Sequence, residues 1–131
     1  MSVFTEEERA YLATQRLARL ATASRHGQPD VSAVGFGLDG DTIVSGGMDI
    51  TKTVRYRHLL ENPVATVVID DLESVDPWRP RGLKVRGRAE VEEAGGRARI
   101  RVHPATIWSW GLNRGAATTF GPVEKRTVTP G

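Results

Sequence analysis

The sequence predicts a mainly β fold of six to seven antiparallel strands with one or two short helices. Apolar and charged residues alternate strictly over residues 83–91, and they alternate again over residues 97–102. A period of two indicates strands that turn one face to a core and the other to solvent. Gly95 and Gly96 lie between these segments and favour a tight type I′ turn. A sheet built in this way closes into a barrel or folds into a sandwich.

A two-residue turn at Gly95 and Gly96 also predicts the register of the hairpin that it joins. In that register apolar side chains meet apolar ones and acidic side chains meet basic ones, which stabilises the strand pair. A slip by one residue would move every side chain to the other face of the sheet. The predicted pairs are Val91 with Ile100, Ala89 with Val102, Glu92 with Arg99 and Glu90 with Arg101.

A capping box and a change of period define the elements of the N-terminal part. Thr5 and Glu8 have the spacing of a capping box, in which each side chain satisfies a free backbone N–H group of the other residue. The period then changes to alternation, and Asp39-Gly40 is a strong signal for a hairpin turn. The expected elements are a helix over residues 6–13 and strands over residues 17–24, 31–38 and 41–45.

The middle of the chain contains a second expected helix and a further strand. Asn62-Pro63 ends the helix, because the residue before a proline is pushed out of the α region. The nearly continuous apolar run that follows indicates a strand buried on both faces. We therefore expect a helix over residues 51–61, a strand over residues 64–69 and a long loop over residues 70–82.

The C-terminal part supplies one more strand and a tail. Residues 105–110 are expected to form the last strand. Residues 111–131 contain few large apolar residues and two prolines, so an extended tail is expected there. Since no repeat or linker divides the rest, we expect one domain over residues 1–112 and an extended tail over residues 113–131.

Composition and charge exclude several classes of protein. The chain has 131 residues and no cysteine, so thiol chemistry and cysteine-based metal sites are excluded. Residues 1–8 are polar and acidic, unlike a secretory signal, and no apolar stretch is long enough to span a membrane. The formal charge is only +2 and no nucleic-acid-binding motif accompanies it. We therefore expect a cytoplasmic protein without nucleic acid or membrane partners.

Three kinds of catalytic or binding motif are not supported by the sequence. Residues 35–40 match the G-x-G-x-x-G pattern of dinucleotide sites, but that motif must open a helix and here it leads into a strand. His26, His58 and His103 lack the spacing of metal ligands, so no metal site is expected. No serine occupies a G-x-S-x-G elbow, which leaves hydrolysis without support.

Residues 46–57 carry the clearest signal for ligand binding. Glycines leave a strand and lead into a helix start, where free backbone N–H groups and the helix dipole favour an anion. Lys52 and Arg55 are three residues apart and would share one helical face, so together they could clamp a phosphate. The alternative is a basic, solvated helix face, and composition alone does not decide between the two.

Tryptophans mark two further positions of interest. Trp78 lies between two prolines at the tip of the expected loop, and long ordered loops between strands are often functional. Its ring could lie flat on a planar ligand, or it could cap one end of the barrel. Trp108 and Trp110 point to the same face of their strand and are expected in core or dimer contacts.

Seven short segments within residues 3–112 carry a family resemblance. The first four are LATAS at residues 20–24, GQP at 27–29, ENP at 61–63 and LKVRGRAE at 83–90. The more specific three are DPWRPRG at residues 76–82, VHP at 102–104 and SWGL at 109–112. The first set resembles the pyridoxamine 5′-phosphate oxidase-like family, the flavin-binding split β-barrels. The second set resembles its actinobacterial F420-dependent branch, in which F420 is a deazaflavin that carries hydride.

The resemblance implies a split β-barrel of six to seven strands that works as a homodimer, with two cofactor sites at the dimer interface. It implies no fixed catalytic side chain. The helix after the third strand would supply the basic residues that hold the cofactor phosphate. The cofactor-binding residues that it implies are Lys52, Thr53 and Arg55 for the phosphate, Gly47 and Met48 beside the cofactor tail, and Trp78 near the ring.

These implications favour an oxidoreductase in which reduced F420 passes hydride to an unsaturated small molecule. The same fold with FMN would instead act as an oxidase or a flavin reductase. A non-enzymatic module that stores or shields a flavin or haem is a third alternative. The Arg- and His-rich C-terminal motif of true pyridoxamine phosphate oxidases is absent, which argues against oxidation of vitamin B6. The relatives carry a longer insert where this chain has Gly95 and Gly96. The shorter segment either opens the substrate side of the pocket or marks a loss of activity.

Overall fold

The computed structural model describes residues 2–112 and 123–128. Two α-helices, one 3₁₀ turn and eight strands form within these ranges. The helices are α1 (Glu6–Leu12) and α2 (Val54–Glu61), and the 3₁₀ turn is Ile50–Lys52. The strands are β1 (Leu17–Ala23), β2 (Pro29–Gly35), β3 (Gly37–Asp39), β4 (Thr42–Ser45), β5 (Val64–Ser74), β6 (Arg79–Ala94), β7 (Arg97–Trp110) and β8 (Glu124–Thr127).

The strands form one antiparallel sheet in the order β2-β1-β5-β6-β7-β4-β3, and β8 pairs with β7 beside this path. Strands β2 and β3 remain the two ends of the path, so the sheet bends around its apolar face without closing. The architecture is therefore the split β-barrel that the resemblance implied, and the mainly β prediction is confirmed. Its core includes the fully buried side chains of Leu20, Ile43, Ile69, Leu83, Ile100 and Ile107.

The hairpin between β6 and β7 has the predicted register. The structure pairs Val91 with Ile100, Ala89 with Val102, Glu92 with Arg99 and Glu90 with Arg101. Gly95 and Gly96 have φ values of 60° and 78°, the left-handed region that a type I′ turn requires at both central positions.

The strand after this turn is longer than the sequence indicated. Residues 97–102 and 105–110 were expected as separate strands, but β7 runs through both because a bulge absorbs the irregularity. The register shifts where Gly87 meets Pro104, a residue without an N–H group for the ladder. Gly87 is required there, because a Cβ atom would overlap the carbonyl oxygen of His103.

The single strand expected over residues 31–38 is wrong. Strand β2 pairs with β1, whereas β3 pairs with β4 on the other end of the sheet, and the chain passes between them at Phe36. The hairpin after β3 is present, but its turn is shifted by one residue. Asp39 pairs with Thr42, so that the turn residues are Gly40 and Asp41.

The long loop expected over residues 70–82 is also wrong. Strands β5 and β6 continue through most of it and are joined by the four turn residues 75–78. The charged residues in this segment are cross-strand partners, since Arg81 Nε lies 2.8 Å from Asp71 Oδ1. Strand β5 is buried on one face only, because Ala65 and Val67 are buried while Val64 is 49% exposed.

The two ends of the described chain meet on the barrel. Helix α1 begins with the predicted capping box, in which Thr5 Oγ1 accepts the Glu8 N–H at 3.1 Å and Glu8 Oε1 accepts the Thr5 N–H at 2.9 Å. Of the tail expected over residues 113–131, the part at 124–127 forms β8, while residues 113–122 and 129–131 lie outside the described residues. Within the described ranges, no helix is long and apolar enough to cross a bilayer.

Candidate functional site

The glycine loop after β4 runs beside the start of β7. The ladder between these strands ends with Ser45 opposite Ile100, and the chain then leaves the sheet at Gly46. Continuing the same register places the loop next to Arg99 and Arg97. These residues line a cavity of about 230 Å³ together with Gly46, Gly47 and Ala98.

Arg55 closes the other side of this loop. A Cβ atom on Gly47 would lie 3.6 Å from Arg55 Nη2 and 3.1 Å from Ile50 Cγ2, so the guanidinium group lies close against the glycine backbone. The Nε atoms of Arg55 and Arg99 are buried and have no hydrogen-bond partner among the described residues. A buried donor without a partner requires an explanation, and an anionic ligand that accepts hydrogen bonds from these nitrogens would supply one. The residues present therefore fit a phosphate-bearing group.

The helix expected over residues 51–61 is interrupted at Thr53. Lys52 ends the 3₁₀ turn and Arg55 lies in the first turn of α2, so the two do not share one helical face as predicted. The Lys52 side chain is 83% exposed, and its Nζ lies 3.4 Å from Asp49 Oδ2. Thr53 is the N-cap of α2, because its Oγ1 accepts the Tyr56 N–H at 3.3 Å and donates to the Ile50 carbonyl at 2.5 Å.

Met48 and Trp78 are the remaining two expected cofactor residues. The Met48 side chain is fully exposed in the loop. Trp78 is 48% exposed and lies in the turn before β6, whereas Arg97 follows the opposite end of that 16-residue strand. Within one chain, the fold therefore separates Trp78 from the glycine loop.

Sequence reasoning missed Arg97 and Arg99 as candidate site residues. Their alternation with apolar residues indicated only a solvent-facing strand, and their proximity to the loop depends on the pairing of β4 with β7. Arg99 Nη2 donates a hydrogen bond to Glu92 Oε1 at 2.9 Å. The same oxygen accepts a second hydrogen bond from Arg101 Nη2 at 2.8 Å. Hydrogen bonds from Arg101, together with both arginine charges, outweigh desolvation and lower the pKa of Glu92. Arg97 forms no ion pair within the described residues.

A buried histidine fixes the position of α2. His58 is 8% exposed, and its Nδ1 lies 2.9 Å from Thr22 Oγ1 on β1. One turn further on, Asn62 Nδ2 donates to the Ala23 carbonyl at 3.3 Å. These contacts hold the helix that carries Arg55 against the sheet. No cluster of three or more metal-ligating side chains exists in residues 2–112 and 123–128.

Comparison with known proteins identifies relatives in sequence and in fold. The family model for pyridoxamine 5′-phosphate oxidase matches residues 4–111. A 5a,11a-dehydrotetracycline/5a,11a-dehydrooxytetracycline reductase from Streptomyces rimosus is 34% identical over 136 aligned positions, which cover 96% of this chain and 94% of the reductase.

Two solved structures share the fold. A heme-binding protein from Mycobacterium smegmatis superposes with a TM-score of 0.73 at 20% identity, over 93% of this chain. The chain spans only 57% of that protein. The Group A Streptococcus protein HupZ superposes with a TM-score of 0.68 at 22% identity, over 86% of this chain and 100% of HupZ.

The family model covers nearly all of the barrel, from Phe4 beside α1 to Gly111 at the end of β7. The Streptomyces relative agrees with the actinobacterial branch that the sequence motifs indicated. The chain therefore belongs to the pyridoxamine 5′-phosphate oxidase family.

Proposed function

We propose that this protein is an oxidoreductase that reduces a carbon–carbon double bond in a small unsaturated molecule, with F420 as the hydride carrier. The observation that carries this proposal is the similarity to a dehydrotetracycline reductase along almost the full length of both chains. In such a reduction the hydride goes to one carbon of the double bond and a proton to the other. The substrate class is thus an electron-poor alkene, which accepts hydride readily.

The cavity at the glycine loop supports the cofactor part of the proposal. When bound, reduced F420 supplies the hydride, and this chain binds and orients it. Arg55 and Arg99 would donate from their unpartnered Nε atoms to anionic oxygens of the cofactor. Gly46 and Gly47 allow the backbone to approach the same oxygens, since neither carries a Cβ atom. Lys52 would turn from Asp49 to the phosphate, which its exposure permits.

A homodimer would bring the remaining residues of the site together. The outer face of β1, β2 and β5 exposes three large apolar side chains, since Leu17 is 57%, Val31 is 63% and Val64 is 49% exposed. Exposed apolar surface of this kind marks an interaction site. We propose that a second copy covers this face and carries its Trp78 to the cofactor ring bound at the other copy.

Assay of hydride transfer tests the proposal. Purified protein is mixed with reduced F420 and a dehydrotetracycline, and oxidation of the deazaflavin is followed by its absorbance. The proposed activity predicts oxidation that depends on both protein and alkene, with one equivalent of reduced product. The same assay with reduced FMN tests the flavin alternative. Binding of either cofactor without turnover of any electron-poor alkene would instead favour a module that stores or shields it.

A further inference from the structure

Three cationic side chains surround the indole of Trp108 on the outer face of the sheet. The distances to the ring centroid are 4.2 Å for Lys84 Nζ, 5.0 Å for Arg86 Cζ and 5.6 Å for Lys125 Nζ. We call these four residues the Trp108 cluster. Each cation lies within the range in which the π face of an indole attracts it.

The cluster is built by the register of three neighbouring strands. Lys84 of β6 and Lys125 of β8 both pair with Trp108 of β7, one on each side. Arg86 is two residues from Lys84 and therefore shares its face of the sheet. The ladder fixes the backbone positions of these residues, so their side chains emerge next to one another on one face of the sheet.

The cations of the cluster have no acidic partner among the described residues. Arg86 makes a long hydrogen bond of 3.4 Å from its Nε to Thr66 Oγ1. Other arginines of β6 and β7 are paired, since Arg81, Arg88 and Arg101 each lie within 3.2 Å of a carboxylate oxygen. Within residues 2–112 and 123–128, the cluster therefore gathers three positive charges without a carboxylate partner around one ring, whereas other cations of β6 and β7 are paired.

We propose that the Trp108 cluster is a binding site for a phosphate-type polyanion. Three neighbouring cations repel one another, and a ligand with at least two negative charges reduces that repulsion while accepting charge-assisted hydrogen bonds. The negative π face of the indole attracts the ammonium and guanidinium groups, and this attraction favours conformers in which the three charges lie close together. A monoanion would compensate only part of this charge.

The Trp108 cluster is distinct from the cavity at the glycine loop. Arg97 and Arg99 are at the start of β7, whereas Trp108 lies two residues before its end. The proposal does not depend on the identity of the redox cofactor, although Arg86 pairs with Thr66 of β5 and so borders the face proposed for the dimer.

Nuclear magnetic resonance of the tryptophan indole groups tests the proposal directly. The chain has 3 tryptophans, and a Trp108→Phe variant assigns the relevant indole N–H signal. Pyrophosphate should shift this signal saturably, and Lys84→Met and Lys125→Met should each weaken binding roughly tenfold, as expected for loss of one charge-assisted contact. Arg88→Met is the matched control, because Arg88 lies on the same face of β6 but pairs with Glu90. It should leave the affinity unchanged.

Further controls distinguish specific binding at the cluster from a general effect of salt and from binding at the glycine loop. Sodium chloride at equal ionic strength should not reproduce the shift, and Arg55→Ala should preserve it. Citrate as the probe tells whether polycarboxylates bind as well as phosphates, and a response to pyrophosphate supports the site whether or not citrate binds. The proposal is overturned if pyrophosphate does not shift the Trp108 signal, or if the double variant of Lys84 and Lys125 responds like the unmodified protein.

Discussion

The carboxylate of Glu8, in the first turn of α1, accepts hydrogen bonds from the guanidinium group of Arg126 on β8. Glu8 is only 2% exposed, and its Oε2 lies 2.8 Å from Arg126 Nη1. The second guanidinium nitrogen also donates to Glu8 Oε1 and to the carbonyl of Val3. This ion pair joins residues that are 118 positions apart and connects the N-terminal helix to the last strand.

Removing the cation of this pair should destabilise the protein. Arg126→Met leaves the Glu8 carboxylate buried without its partner, and we expect a loss of about 2–4 kcal/mol in the free energy of unfolding. Urea denaturation measures the change. Glu124→Gln, on the same strand and exposed, is the control and should stay within about 0.5 kcal/mol. Equal stability of the Arg126→Met variant and the unmodified protein would show that the pair contributes nothing.

The same carboxylate predicts how stability depends on pH. Burial raises the pKa of Glu8, but hydrogen bonds from Arg126 and the Thr5 N–H group outweigh it, so the folded-state pKa is lower than the ordinary value of 4.5. A lowered pKa gives stability that is present above the unfolded value and is lost as pH falls through the folded value.

Unfolding free energy should therefore fall below about pH 4.5, and Glu8→Gln should make that decline shallower. Urea denaturation at a series of pH values from 7 to about 3 measures both slopes. Glu6→Gln, an exposed residue of the same helix, should leave the slope unchanged. A Glu8→Gln slope identical to that of the unmodified protein would contradict the assignment.

The bulge between β6 and β7 should not tolerate a side chain at Gly87. Gly87→Ala places its Cβ atom on the His103 carbonyl, so we expect a loss of about 3 kcal/mol or more. Gly37→Ala is the matched control, because a Cβ atom there meets nothing within 4 Å. Thermal unfolding followed by circular dichroism compares the two, and similar melting temperatures would mean that the bulge adapts at no cost.

The proposed dimer predicts which surface charges disrupt it. Val31→Asp and Val64→Asp place a carboxylate in the exposed apolar face, and each should convert the dimer to a monomer in analytical ultracentrifugation. Val123→Asp is the control, since Val123 is 61% exposed directly before β8, which pairs with β7 and not with the strands of that face. Unmodified protein that sediments as a monomer at all concentrations would rule out the shared site.

Local patterns predicted the hairpin at Gly95 and Gly96 well, because alternation and turn chemistry both act within a few residues. The strand break at Phe36 was missed, since it arises from the pairing of β3 with β4 rather than from the residues at the break. The loop expected around Trp78 was wrong for a related reason. Its aspartates and arginines are typical of loops, but in the structure Asp71 and Arg81 form an ion pair across two neighbouring strands.

The candidate site was predictable only in part. Gly47 and Arg55 lie close in sequence, so the glycine-to-helix signal identified them. Arg97 and Arg99 reach the same cavity through the non-local pairing of Ser45 with Ile100, which no local pattern encodes. The distance of Trp78 from the loop likewise follows from the length of β6.

Equilibrium binding of F420 is the measurement that tests the central claim most directly, because the claim is that the cavity at the glycine loop, lined by Arg99 and bordered by Arg55, holds the cofactor. Isothermal titration calorimetry should show saturable binding to the unmodified protein. Arg55→Ala and Arg99→Ala should each weaken it by roughly tenfold or more, for loss of a charge-assisted hydrogen bond. Arg9→Ala, an exposed residue of α1, should bind as the unmodified protein does. No binding of F420, or equal binding by the Arg55→Ala and Arg99→Ala variants, would contradict the account.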